Sequence, residues 1–278
     1  MNASAWFQIQ SIREKVQTLE LVVTHLLSKT SENSENSEDS GKSGGPEQGF
    51  NACPARDIRI VDSILHPPKP KISSREGQGR LLHDLTNIEL QAMELAVRTL
   101  AEFPEAPPLF REQLAELALD EGRHLTLCLN ALDEMEIKWG SWPIHTALWD
   151  QTPPRPQTTL VERVFVVHRH MEGSGLDAGD AILKRLTGVG PTVVREPIQT
   201  ILLEEIQHVR FGTKWFRQLC RADGLNPDGV FGDLFPITLG RASRTEKPAI
   251  ELRRQAGFNE YELSVINDTM EKNRLNRF

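Results

Sequence analysis

Long apolar runs are missing from this chain of 278 residues: the longest span only a few positions, as at Ile201-Leu202-Leu203. None approaches the roughly 18 residues that cross a bilayer, which excludes a membrane-spanning protein and leaves no membrane partner to expect. The start, Met1-Asn2-Ala3-Ser4-Ala5-Trp6-Phe7, lacks a basic region followed by an apolar one, and so does not read as a secretory signal. Cysteine is scarce. Cys53, Cys128 and Cys220 are far apart and odd in number, which argues against a disulfide framework and against Cys-based zinc spacing, so a reduced, cytoplasmic location is expected. The single tyrosine, Tyr261, lies far along the tail, and a tyrosyl-radical enzyme is not expected. Basic charge is in deficit, with 32 Lys and Arg against 39 Asp and Glu, a formal charge of −7. That balance disfavours a general nucleic-acid binder, whose phosphate contacts require a basic face.

What is present is helical pattern. Phe7, Ile12, Val16, Leu19, Val23 and Leu27 recur at helical spacing, which predicts an amphipathic front helix within residues 1–28. Residues 29–50 repeat Ser-Glu-Asn and Ser-Glu-Asp before turning to Ser, Gly and Pro, and read as a flexible acidic linker to a main domain over 51–278. A Pro-rich arm, His66-Pro67-Pro68-Lys69-Pro70, is held extended by its prolines and is expected to wrap over the main domain. Four long helices follow, at about 79–103, from Pro107-Pro108 to about 136, at 159–186, and at 192–222. Short turns make each consecutive pair an antiparallel hairpin. Residues 139–158, with several Pro and Trp and no helical period, form a long crossover. Two hairpins so joined have the arrangement of a ferritin-like four-helix bundle, and the fold class expected is all-α. Short tail helices are expected near 248–256 and 259–266.

The apolar stripes of the four helices are interrupted by charge. In the second, Phe110, Leu114 and Leu117 are followed by Glu121 and His124, then Cys128 and Leu132. In the fourth, Val194, Ile198 and Ile201 lead to Glu205 and His208, then Gly212, Trp215 and Leu219. Residues three apart on a helix differ by roughly 60° around its axis, so both members of each Glu-x-x-His unit can reach one point. Glu89 and Glu172 interrupt the first and third stripes, 32 residues before Glu121 and 33 before Glu205 respectively. Four ionised Glu in a core would be expensive to desolvate unless cations neutralise them. Two divalent ions would do so, and oxygen-rich ligands with one imidazole per metal suit iron or manganese better than zinc.

The residues that carry this pattern also carry a resemblance. Leu81-Leu82-His83, Ile88-Glu89-Leu90-Gln91-Ala92-Met93-Glu94-Leu95, Asp120-Glu121-Gly122-Arg123-His124, Trp142-Pro143-Ile144-His145, Glu172-Gly173-Ser174-Gly175-Leu176-Asp177, Glu205-Ile206-Gln207-His208-Val209-Arg210-Phe211-Gly212 and Gln255-Ala256-Gly257-Phe258 resemble the ferritin-like family known as domain of unknown function 455 (DUF455). The likeness runs from about Leu65 to Ile266. It implies a dinuclear-metal four-helix bundle with Glu89, Glu121, His124, Glu172, Glu205 and His208 as ligands. It implies no substrate, and its nearest characterised look is to tRNA-modifying diiron hydroxylases and other ferritin-like oxidases. The front helix and acidic linker fall outside that pattern, and Asn87 stands where a His is expected.

His168, one turn before Glu172, is read as a histidine beside the site, bonded to a carboxylate. Gly173, Ser174 and Gly175 imply either a bulge with room for a small molecule or close helix packing. Asp84 and Asp120 are candidates to orient ligand imidazoles, or else surface acids. Trp139, Trp142, Trp149 and Trp215 are read as packing residues. Three functions are consistent with such a centre: an O2-dependent oxidase or hydroxylase of a small organic substrate, a ferroxidase or iron-binding protein, and a partner-binding protein that metals hold together. A tRNA substrate would require a basic face, for which Arg241, Arg244, Lys247, Arg253 and Arg254 are the candidates, and a second copy of the chain is a further partner to consider. Two divalent ions would bring the charge from −7 to about −3, and the segment from Lys29 to Glu47 holds five acids against two lysines, so the folded surface is expected to be near neutral.

Overall fold

Every regular element of the computed structural model is helical over the residues it describes, 1–35, 52–190, 192–239 and 247–275. The extended pairing among them is an isolated parallel bridge, Ile60 with Ile144. The protein is all-α, and no helix among the described residues is long and apolar enough to cross a membrane. The chain forms two compact units, Met1–Thr158 and Thr159–Phe278.

The front of the first unit is three helices rather than one: α1 (Ala3–Phe7), α2 (Ile12–Gln17) and α3 (Leu19–Glu35). The apolar period is continuous, but Asn2 and Ser11 turn their side-chain oxygens onto the amides of Ala5 and Glu14, and each starts a helix of its own. Helix α3 runs past Leu27 into the stretch read as a linker, whose remainder, residues 36–50, lies outside the described residues. The front is bound in by buried groups. Trp6 is fully buried and donates to the Lys15 carbonyl at 3.1 Å, and Lys15 Nζ meets Glu94 at 2.6 Å.

Helix α4 (Arg75–Glu102) is started by the Ser74 side chain on the Gly77 amide and ends at Phe103, before Pro104. Helix α5 (Pro108–Glu134) begins on a proline, whose missing N–H is unneeded at a first helical position. They form the first hairpin. One side of α4 carries a polar stripe in steps of three and four, and each group ties down chain from elsewhere in this unit. Arg80 binds His66 of the arm, and His83 accepts from the Gly140 amide at 3.2 Å. Asn87 and Gln91 both donate to the His145 carbonyl, at 3.0 and 3.1 Å, while Gln91 Oε1 accepts from the amides of Leu148 and Trp149. Glu94 takes Lys15 and Arg56, and Arg98 donates to the Thr152 carbonyl under the Trp149 ring. The crossover read as irregular contains a short helix, α6 (Ala147–Asp150), seated on Gln91. The chain just before the arm pairs with the crossover: the Val61 amide donates to the Ile144 carbonyl at 2.9 Å, and the Ile144 amide donates to the Arg59 carbonyl at 3.0 Å.

Burial gives His83 a measurable role. It pushes the imidazole from an ordinary 6.5 down to about 4, because charging it would cost desolvation, which the nearby Asp84 carboxylate only partly offsets. A depressed folded pKa stabilises above the unfolded value and loses that contribution as pH falls. Between pH 6.5 and 4 the wild type should therefore lose about 3 kcal/mol more stability than His83→Gln, which keeps an acceptor but cannot titrate. Urea unfolding at several pH values measures the difference. Parallel acid limbs would contradict the assignment.

In the second unit, Thr159 and Glu162 form a capping box at the start of α7 (Leu160–Val164). A single helix over 159–186 is expected from the sequence, but the chain passes through a π-helical segment, Phe165–Met171, before α8 (Glu172–Thr187). Helix α9 (Arg195–Ala222) completes the second hairpin. Among its described residues the tail has three helices, α10 (Pro227–Leu239), α11 (Ile250–Gln255) and α12 (Glu260–Leu275). The first was not expected, because Gly229, Gly232 and Pro236 disguise it, yet Asn226 accepts from the Asp228 amide in the manner of a helix start and Phe231 and Phe235 are buried. At the centre of the unit, Arg169 is buried among Phe216, Phe231 and Phe258, 4.5 to 4.8 Å from each ring centroid, and is paired with Glu262.

Candidate metal centre

The sequence-predicted ligands are buried, three in each unit. In the first unit, Glu89 comes from α4 and Glu121 and His124 from α5. His124 Nδ1 stands 3.5 Å from Glu89 Oε2 and 3.6 Å from Glu121 Oε2. In the second, Glu172 is the first residue of α8, and Glu205 and His208 lie on α9, with His208 Nδ1 3.3 Å from Glu205 Oε1. Two ligand atoms bound to one ion at ~2.1 Å, at right angles or somewhat wider, stand roughly 3.0 to 3.4 Å apart, so these separations are close to what one ion per set needs. Glu121 and His124 in the first unit, and Glu205 and His208 in the second, have the residue types and the burial that metal ions require.

Glu172 supplies a second indication. Burial pushes its carboxyl above the ordinary carboxylate range, against the pull of His168, while the nearby Glu205 raises it further. His168 Nδ1 lies 2.6 Å from Glu172 Oε1, as the sequence reading placed it. The other oxygen, Oε2, is buried with no hydrogen-bond partner among the described residues. A carboxylate held by one imidazole and unpaired on its other oxygen has an acceptor left over for a cation or a further donor.

The π segment sets this geometry. Gly212 of α9 lies so close to it that a Cβ there would come within 2.2 Å of the His168 carbonyl oxygen. Of the two readings of Gly173 to Gly175, packing is observed at Gly173, whose missing Cβ would meet Arg253 Nη1 at 2.9 Å, while Gly175 faces open space. The irregularity lies one turn earlier, in Phe165–Met171. Arg253 is held by Asp177 through 3.0 and 2.7 Å hydrogen bonds and is buried, which removes it from any basic face. Arg254 is paired with Glu251 and Glu260, and Arg241 and Arg244 lie outside the described residues. Asp84 is paired with Arg80 and Lys69, and Asp120 is half exposed beside Arg123. Asn87 serves the His145 backbone. Sequence reasoning missed the buried arginines 163, 169 and 253, because periodicity treats Arg as a surface residue; the phenylalanines at 216, 231 and 258 were the available signal for Arg169.

The fold and these residues define a helical protein with a Glu, Glu, His set buried in each of its two units. The chain matches the family described as "Protein of unknown function (DUF455)" over residues 8–264, and it belongs to that family. The match begins at residue 8, so α2 and α3, which the sequence reading left outside the family pattern, fall within it, while α1 precedes it. A relative from Haemophilus influenzae, described as an uncharacterized protein, is 24% identical over 234 residues, covering 80% of this chain and 78% of its own. No solved structure matches the chain.

Proposed function

We propose that this protein is a dinuclear carboxylate protein of the ferritin-like kind, holding two iron ions or a manganese and iron pair, and that it uses O2 to oxidise or hydroxylate a small organic substrate. The observation that carries the reading is the repetition of one donor set, a lone Glu with a Glu-x-x-His, on buried helical faces. The assignment of the two ions to one centre comes from the sequence, from the equal 32- and 33-residue spacings and the ligand pattern of such proteins. Glu89, Glu121 and His124 would hold one ion, and Glu172, Glu205 and His208 the other. Bound there, the ions would supply redox chemistry toward O2. The protein's own part is to balance charge and fix orientation. Four carboxylates match the charge of two divalent cations, and each helix-borne histidine supplies a neutral donor. His168 fixes the orientation of Glu172 through the 2.6 Å contact.

Anaerobic iron loading followed by O2, read by optical spectroscopy and by a screen for substrate turnover, tests the proposal. An oxygen-dependent absorption change with product from an organic substrate is the expected result. Iron oxidised with no organic product would replace the reading with ferroxidase or iron binding. Loss of fold on metal removal with no reaction toward O2 would replace it with a metal-stabilised binding protein.

A further inference from the structure

The arm and the crossover meet on the first turns of the α4 polar stripe, in a cluster rich in donors. Arg80 Nη2 lies 2.7 Å from His66 Nδ1, and the His66 ring is 5.4 Å from that of His145. His83 stacks on Trp139 at 4.7 Å and meets the edge of Trp142, whose ring also lies 5.7 Å from the Arg80 guanidinium. Hydrogen-bond chemistry fixes the protons. A guanidinium only donates, so His66 Nδ1 accepts and its proton sits on Nε2. The Gly140 amide only donates, so His83 Nε2 accepts and its proton sits on Nδ1.

The two remaining ring N–H groups, His66 Nε2 and His83 Nδ1, together with Arg80 Nη1, are buried atoms with no hydrogen-bond partner among the described residues. Arg80 and His83 are themselves almost wholly buried. Unsatisfied buried donors are rare in native proteins, and each calls for a partner. The local charge says what kind. Arg80 and Lys69 share the one carboxylate of Asp84, leaving an excess of one positive charge. Lys69 is well exposed, and His66, Trp139, Trp142 and His145 are all partly exposed, so the cluster opens to solvent.

We propose that Arg80, His66 and His83 form an oxyanion site at the junction of arm, α4 and crossover, for a phosphoryl group, either free phosphate or the head of a small phosphomonoester. Three donor groups contributed by two segments of the chain equal in number the three terminal oxygens of such a group, and the positive excess favours its charge. Neither the Glu and His sets nor the redox proposal is needed for it.

The test uses the full-length chain labelled with 15N at histidine. Inorganic phosphate, methyl phosphate and acetate are each titrated at constant ionic strength, with calorimetry alongside. The expected result is saturable binding of one phosphate per chain, with the signals of His66 Nε2 and His83 Nδ1 moving on the same isotherm. Methyl phosphate binding as well as phosphate would assign a phosphomonoester, and its exclusion would assign the free ion. His66→Asn keeps an acceptor for Arg80 and His83→Gln keeps one for Gly140, while in each the remaining amide donor is displaced from the position of the ring N–H; each should weaken phosphate about tenfold. Absence of saturable binding, acetate binding as tightly, or variants that bind like wild type would overturn the site. If a variant fails to fold, the two wild-type nitrogen signals decide, since their remaining fixed through the titration would also overturn it.

Discussion

Gly212→Ala should destabilise the protein by about 3 kcal/mol, the upper end of what overpacking costs. The added methyl would sit 2.2 Å from the His168 carbonyl oxygen and 2.6 Å from its carbon, and both are backbone atoms that cannot swing aside. Either α9 or the π segment must move. His168 is the residue that holds Glu172, so the displacement should reach the donor set as well as the packing. Urea unfolding gives the stability, and elemental analysis of the loaded variant gives the metal content, which should fall. Gly175→Ala is the control. Its methyl meets nothing within 4 Å, so it should be neutral or add up to about 1 kcal/mol of helical stability. Equal behaviour of the two variants would show that the close approach at His168 does not constrain the fold.

Glu262→Ala should cost about 3 to 5 kcal/mol, the range found when one partner of a buried ion pair is removed. Glu262 is fully buried, meets Arg169 at 3.0 to 3.1 Å and Arg217 at 2.9 Å, and accepts from the Asn259 amide at 3.0 Å. Burial already lowers the Arg169 pKa, and Glu262 is the first group that opposes this. Removing it leaves a guanidinium buried against three rings with no countercharge. Replacing the pair together, Arg169→Met with Glu262→Leu, should recover most of the loss, because the desolvation cost of both charges disappears. Arg217→Ala should matter far less, since Arg217 is partly exposed and solvent screens its side of the pair. A loss from Glu262→Ala no larger than that from Arg217→Ala would contradict this picture.

Much of the fold was legible because it rests on period and punctuation. Pro104, Pro107 and Pro108 place the first turn, and the capping residues Ser74 and Thr159 lie within a few residues of the expected helix starts. The six candidate ligands were legible for a related reason: charge at a position the apolar period assigns to the core is conspicuous, and Glu89, Glu121, His124, Glu172, Glu205 and His208 are all buried. What escaped depends on contacts distant in sequence. The π segment packs against Gly212, which lies more than forty residues further along the chain and reads there as an ordinary small residue. The polar stripe of α4 was invisible because Arg80, Asn87, Gln91 and Arg98 look like a solvated face until the crossover is laid on them. The front helix was divided by Ser11, a cap that interrupts the backbone without interrupting the apolar period.

The central claim is that the Glu and His sets bind two metal ions, and metal content tests it most directly. After anaerobic iron loading and removal of excess, elemental analysis should find two equivalents per chain in the wild type and fewer than two in Glu121→Ala and in Glu205→Ala, both still folded by circular dichroism. Two equivalents retained by either folded variant would contradict the assignment.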